Sequence, residues 1–274
     1  MKKFSVSMAV YQGDNSEHFK IALESVYNQT VAPNEVVLVV DGPIPNETQQ
    51  VIAQFLTSKS NLKVIRLEQN MGHAQARRAG MEHCANELIA LMDADDISLP
   101  NRFQDQLECF ERMHDCAVIG GLIAEFSGNS KPSCIRRVPQ YDKEIKQYLK
   151  SRCPFNQSSV MLKKSAVLAA GGYQDWYHNE DYFLWIRLSL AGAKFYNLQK
   201  VLVNMRAGSA MYERRGGRAY FASEYKLQRY MLKRKVISPF RFLVNVGIRI
   251  IVQLILSNKL REVFYKLFAR EKAE

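Results

Sequence analysis

Residues 35–41 (EVVLVVD) form a nearly unbroken apolar run that ends in Asp41. A run without alternation predicts a strand buried on both faces. Residues 4–10 (FSVSMAV), 62–67 (LKVIRL), 87–92 (ELIALM) and 116–121 (CAVIGG) read as further strands. Between the first two, residues 16–28 place Phe19, Leu23, Val26 and Tyr27 at helical spacing. Helices follow over about 46–57, 72–84 and 100–113. Asn46 with Gln49 reads as a cap for the first of these, and Pro100 opens the last. Strand and helix alternate four times, which predicts an α/β sandwich: a parallel sheet with helices on both faces. Ligands of such sheets sit beyond the carboxyl ends of the strands. Asp41 and the stretch Asp93-Ala94-Asp95-Asp96 fall at two of those ends.

After residue 122 the pattern changes. Segments 122–138 and 157–162 read as shorter strands in mixed order, 164–170 and 179–191 as helices, and 194–204 as a strand. From about 217 onward the chain reads as helical. The length of 274 residues fits one large domain or one domain with an appendage. An apolar share of 47% with 24% charged residues excludes disorder, collagen and coiled coil for the whole chain. Five cysteines, without a C-x-x-C pair, indicate neither a disulfide framework nor a zinc cluster, and read as reduced thiols of a cytosolic protein. Residues 1–12 are too short for a signal-peptide core with its cleavage site.

The net charge of +11 gains meaning once located. Residues 200–274 carry +12 and residues 1–199 carry −1. Such asymmetry points to an anionic membrane surface or to nucleic acid. Residues 237–256 are mostly apolar, yet Arg241, Asn245, Arg249 and Gln253 recur every four. Two arginines within the run argue against a spanning helix. An interfacial helix fits better, with Lys233, Arg234, Lys235, Lys259, Arg261, Lys266 and Arg270 at its flanks. The competing account packs this helix on the protein or on a second subunit, as in a homodimer. No nucleic-acid motif accompanies the charge.

The aspartate stretch is the strongest chemical signal. Alternate residues of an extended segment point the same way, so Asp93 and Asp95 face one pocket and Asp96 faces away into a local network. Two converging carboxylates suit a hard divalent cation, Mn²⁺ or Mg²⁺, bridged to a substrate's phosphates. A solvated turn whose aspartates cap the next helix is the plain alternative.

Five segments together resemble the family 2 nucleotide-sugar glycosyltransferases. They are Ser5–Tyr11 with the helix end Ser25-Val26-Tyr27-Asn28-Gln29-Thr30, Asp41-Gly42, Asn70-Met71-Gly72-His73-Ala74-Gln75-Ala76-Arg77, the Asp93–Asp96 stretch as a D-x-D motif, and Asn179-Glu180-Asp181-Tyr182-Phe183-Leu184-Trp185. Residues 154–161 and 170–173 are similar to the capsule, exopolysaccharide and O-antigen transferases of that family. The resemblance covers roughly residues 4–205 and implies a GT-A fold: a mixed, mainly parallel sheet between helices. It divides the chain into a catalytic domain at 1–205, with a nucleotide-sugar half at 1–120 and an acceptor half at 121–205, and a basic helical tail at 206–274.

The resemblance also implies roles. Asp95, with Asp93, would hold the cation that neutralises a leaving diphosphate. Val10, Tyr11, Asp41, Asn70, Gly72, Arg77 and Asp93 would meet the donor, Asp41 through a base N–H or a ribose hydroxyl and Arg77 through phosphate in fork geometry. Asp181 would be the general base that takes the acceptor proton, held ionised by its helix N-terminus. Glu180 would orient the acceptor and Trp176 would stack on its sugar. The expected reaction is inverting transfer from a UDP-sugar to a hydroxyl of a polyprenyl-linked glycan, at the inner face of the plasma membrane. Ala9, Gln12 and Gly42 depart from the commonest family residues, which weakens inference about the nucleotide. Two competing readings are a nucleotidyltransferase and a non-catalytic sugar-nucleotide or membrane scaffold. The first calls for a basic residue in a Gly-rich loop after the first strand, where this chain has Tyr11-Gln12-Gly13-Asp14-Asn15.

Overall fold

The computed structural model describes residues 2–128, 132–208, 214–258, 260–261 and 271–272. The first half alternates as the apolar runs predict: β1 (Phe4–Tyr11), α1 (Ser16–Tyr27), β2 (Glu35–Asp41), α2 (Asn46–Ser58), β3 (Leu62–Leu67), α3 (His73–His83) and β4 (Leu88–Met92). Strands β3, β2, β1 and β4 lie side by side and parallel. Their alternate residues serve two cores. Val36, Leu38 and Val40 join a cluster with Phe4, Phe19 and Phe103, while Val37, Ile89 and Leu91 join one around Trp185. That double use is why no polar residue interrupts β2.

The second half extends and mixes the sheet. It comprises β5 (Ile97–Ser98), α4 (Arg102–Arg112), β6 (Cys116–Phe126), β7 (Cys134–Arg136), α5 (Asp142–Leu149), β8 (Met161–Lys163), α6 (Lys164–Ala169), α7 (Glu180–Leu190) and β9 (Lys194–Arg206). Short β8 runs antiparallel between β4 and β6, and β9 runs parallel to β6. The observed order is β10-β7-β6-β8-β4-β1-β2-β3, where β10 is Glu271–Lys272. The sheet is therefore mixed and mainly parallel along β4-β1-β2-β3, as expected.

Three local expectations need correction. Pro45, not Asn46, occupies the N-cap of α2, and no side chain caps that end. β6 runs five residues past 121 because both its faces stay buried through Phe126. Helix α5 has no counterpart in the sequence expectations; its eight residues bury only Ile145 and Leu149, too few to register as a period.

The C-terminal region adds α8 (Gly217–Lys233) and α9 (Pro239–Arg249), the latter continued by a π-helical turn over Ile250–Ile255. Ser238 caps α9 through its hydroxyl, and Pro239 opens it. Leu227, Met231 and Ile237 belong to the same core cluster as Trp185. Of the stripe Arg241, Asn245, Arg249 and Gln253, the last three turn inward. Asn245 Nδ2 donates to Lys150 O and to Gln228 Oε1, each at 2.8 Å. Arg249 pairs with the buried Glu224 and donates to Ser151 O at 3.0 Å. Arg261, expected as an exposed flanking charge, is buried and donates to the carbonyls of Val252, Gln253 and Leu256. It closes the end of the π turn, where carbonyls lack helical partners. Lys259, Lys266 and Arg270 lie outside the described residues. Among the described residues no helix is long and apolar enough to cross a membrane.

Candidate active site

The carboxyl ends of β1, β2 and β4 meet at one edge, with Tyr11 beside Asp41 in register. The Val10 side chain is buried in the core, so only its backbone borders that edge. The Tyr11 ring stands 6.2 Å from that of His73, and its N–H donates to Asp14 Oδ2 at 3.0 Å. Asp41 is buried. Its Oδ1 accepts from the Met71 N–H at 2.7 Å and its Oδ2 from the Gly72 N–H at 3.0 Å. Asp41 thereby fixes the turn that carries exposed Asn70 and opens α3. Gly42 has φ +82°, and a Cβ there would lie 2.5 Å from Asn70 N. The two turns approach too closely for any other residue.

Asp93 and Asp95 follow β4 at the centre of this edge. Arg77 on α3 donates through Nη2 to Asp93 Oδ1 at 2.8 Å, and Asp93 is the principal charge that raises its pKa. The guanidinium expected to meet phosphate is thus engaged by a carboxylate. Burial, with the Asp93 charge beside it, lifts the Asp95 carboxyl to about 6. Asp96 is buried and accepts from the Arg206 N–H at 3.0 Å; the chain turns at Ala94 and Asp95, where an extended segment is expected. Below it Arg102 is buried and donates to Leu91 O at 2.7 Å; burial lowers its pKa to about 9.

The start of α7 lies within electrostatic reach of Arg77 and Asp93. Burial and the neighbouring Asp181 charge lift the Glu180 carboxyl to about 7, and Arg77 opposes that shift. Asp181 Oδ1 accepts from the Tyr182 N–H at 2.6 Å, and its Oδ2 accepts from the Cys153 thiol at 3.7 Å. Burial raises the Asp181 carboxyl above its ordinary range and raises the Cys153 thiol as well. Trp176 packs at 4.1 Å on Phe183, carries Lys226 over its ring, and donates to Ser223 O. Much of its surface is therefore used within the protein. His178 before this helix has φ +53°, in the left-handed region.

Two residues of this edge stand outside the sequence expectations. Asp14 is lifted to about 6 by burial, with the Asp95 and Asp93 charges adding to the effect. Arg214, from the basic extension, acts electrostatically on Asp95, His73 and His178. The position of Asp14, three residues past the end of β1, was the available signal. Nothing near Arg214 in sequence marks it.

Burial, with the Asp95 and Asp93 charges nearby, raises Asp14, and burial with the Asp93 charge raises Asp95, as expected where carboxylates gather. No closed group of three or more His, Cys, Asp or Glu ligands is assembled among the described residues. Asp93 and Asp95 are the carboxylates that could enter the shell of a divalent cation such as Mn²⁺ or Mg²⁺, with a ligand's phosphate oxygens completing it.

The profile of glycosyl transferase family 2 matches residues 5–169. The chain belongs to that family. The transferase is 36% identical over 98% of its length, and 97% of the other's, to the UDP-Gal:alpha-D-GlcNAc-diphosphoundecaprenol beta-1,3-galactosyltransferase of Escherichia coli. It is also 36% identical to the amylovoran biosynthesis glycosyltransferase of Erwinia amylovora, over 85% of this chain and 86% of that one. Among solved structures it is similar to a mannosyltransferase from Pyrobaculum calidifontis in complex with GDP-Man and Mn²⁺. The TM-score is 0.65 at 14% identity, over 95% of this chain and 72% of that one. TarS residues 1–349 of S. aureus give 0.63 at 20% identity, over 91% and 72%. These last two likenesses establish the GT-A fold of the transferase.

Proposed function

We propose that this transferase moves a sugar, with inversion, from a UDP-sugar to a hydroxyl of a polyprenyl-diphosphate-linked glycan during surface polysaccharide assembly. The end-to-end similarity to an enzyme named for UDP-Gal and a diphosphoundecaprenol acceptor supports the substrate classes. The observation that carries the chemistry is the Arg77–Asp93 pair at 2.8 Å, whose cation also acts electrostatically on Glu180. It joins a donor side, Asp14, Asp93 and Asp95, to an acceptor side, Glu180 and Asp181. We assign residues 1–120 to the first side, 121–205 to the second, and 206–274 to an extension.

Asp95, with Asp93, would hold a divalent cation, which supplies Lewis-acid charge to the leaving diphosphate. Asp41 holds the Asn70–Gly72 turn, so its contribution to donor binding passes through that turn's backbone. Asp181 accepts the acceptor hydroxyl's proton as that oxygen attacks the anomeric carbon. Its second oxygen meets only a weak thiol donor, so it exchanges that contact for the substrate at little cost. Single displacement inverts the anomeric centre. A lipid-linked acceptor places the enzyme peripherally at the cytoplasmic face of the plasma membrane.

Thermal-shift screening against UDP, GDP, CDP and dTDP, each with Mn²⁺ or EDTA, tests the donor side. The expected result is a shift with UDP and Mn²⁺ that Asp95→Ala abolishes. Transfer from UDP-galactose to a short-chain lipid-diphosphate GlcNAc, with the product anomer read by NMR, tests the rest. No shift with any nucleotide, together with no turnover, would move the protein to a binding role.

A further inference from the structure

Helix α9 and its π turn are amphipathic with the usual sense reversed. Asn245 and Gln253 are 2% and 4% exposed, whereas Phe240, Leu243 and Ile255 are 77%, 67% and 68% exposed. Nine of the seventeen large apolar side chains that stand exposed among the described residues lie within 240–260. They follow helical spacing through Phe240, Val244, Ile248, Ile251 and Ile255, which makes one continuous face. A soluble surface does not normally keep such a face in water.

The orientation is fixed from the inside. Rotating the helix to bury its apolar side would strip Glu224 of Arg249, and would take from Lys150 O and Ser151 O the donors Asn245 and Arg249. A buried carboxylate without its cation is strongly unfavourable. The apolar side therefore has to be covered by something else.

Charge decides what covers it. Residues 225–258 contain seven Lys or Arg and no Asp or Glu. Lys233 at the end of α8 and Arg234 and Lys235 in the link to α9 stand exposed, as do Lys226 and Arg229 on α8. A second copy of the same face would set these like charges against each other. An anionic bilayer complements them and also takes up the apolar side chains.

We infer that the outward face of α9 and its π turn is a docking surface for an anionic lipid bilayer, with Leu243, Ile248 and Ile251 entering the acyl boundary. This deepens the reading above, because a lipid-linked acceptor lies in such a bilayer, but its observations are separate. The inner side of the same helix holds the 150–151 carbonyls, and Cys153 two residues on touches Asp181. Docking thus brings the acceptor side of the site next to the lipid.

The test is co-sedimentation of the full chain, without donor or acceptor, with vesicles of phosphatidylcholine alone or mixed with phosphatidylglycerol. Wild type should pellet with the mixed vesicles. Leu243→Glu with Ile251→Glu, both exposed positions, should lower that partition at least about tenfold and leave the thermal transition unchanged. Wild type that stays in solution, or a double variant that binds as well, overturns the inference. Equal binding to phosphatidylcholine alone removes its anionic part. A dimer by light scattering without vesicles, lost in the double variant, assigns the face to a second copy instead. Vesicle binding without turnover would refute the catalytic reading only, and turnover without vesicle binding would refute this one only.

Discussion

Arg77 donates to Asp93 across 2.8 Å, from a helix on one side of the sheet edge to the strand end that follows β4. The pair is mostly shielded from water, with side-chain exposures of 13% and 34%. Its cation balances a cluster of acids that would otherwise repel one another.

Arg77→Ala removes that balance. Stability should fall by roughly 1–3 kcal/mol, below the full cost of a deeply buried pair because Asp93 is partly solvated. Transfer should fall at least tenfold, since Asp93 loses its orientation. Arg77→Lys should restore part of the stability and less of the transfer rate, because a point charge cannot serve Asp93 and Glu180 together. Melting curves beside kcat/KM decide it; an Arg77→Ala enzyme of wild-type activity would remove Arg77 from the site.

Asp181→Asn is nearly isosteric and keeps the Tyr182 N–H contact to Oδ1. It should lower kcat by about 10²–10⁴. The UDP thermal shift should be unchanged, because Asp181 is assigned to the proposed acceptor side. Wild-type turnover in this variant would exclude Asp181 as the base.

Gly42→Ala tests the close approach of the two turns. A left-handed φ costs a Cβ residue about 1–2 kcal/mol, and the Cβ would also collide with the Asn70 backbone. The expected loss is at least about 2 kcal/mol, seen as a lower Tm and a weaker nucleotide response. An unchanged Tm would mean that the Asn70 turn is free to move.

The pH dependence is carried by Glu180. Its carboxyl is raised from 4.5 to about 7 in the folded protein, chiefly by burial. The folded state therefore keeps a proton that the unfolded chain releases. This contribution is complete below the unfolded value and is lost as pH rises through the folded one. Wild-type Tm should fall relative to Glu180→Gln between about pH 4.5 and 7. A Tm difference that stays constant across this window would contradict the assignment.

The first half was legible because its strands are buried on both faces, so β2 and β4 appear as unbroken apolar runs. Asp41 and Asp93 could be placed at strand ends on that basis alone. What Asp41 binds was not legible. A carboxylate at a strand end suits a ligand and a neighbouring turn equally, and only the positions of the Met71 and Gly72 amides decide which it meets in the fold. The C-terminal stripe shows the same limit. A four-residue recurrence of Arg241, Asn245, Arg249 and Gln253 defines a helix face but not the side of the molecule it looks toward. That direction depends on Glu224 and on the carbonyls of Lys150 and Ser151, which are remote in sequence. Arg214 acts on the site by proximity in space, which no local pattern reports.

The inward bonds of Asn245 and Arg249 make α9 a mount and not a tether. An anchor on a flexible leash would let the catalytic cleft wander over a range of heights above its support. A helix riveted to the 150–151 segment holds the cleft at one height and one tilt. On the bilayer inferred above, such a mount would make the enzyme a ruler, favouring acceptors whose reacting hydroxyl stands at the matching distance from their lipid.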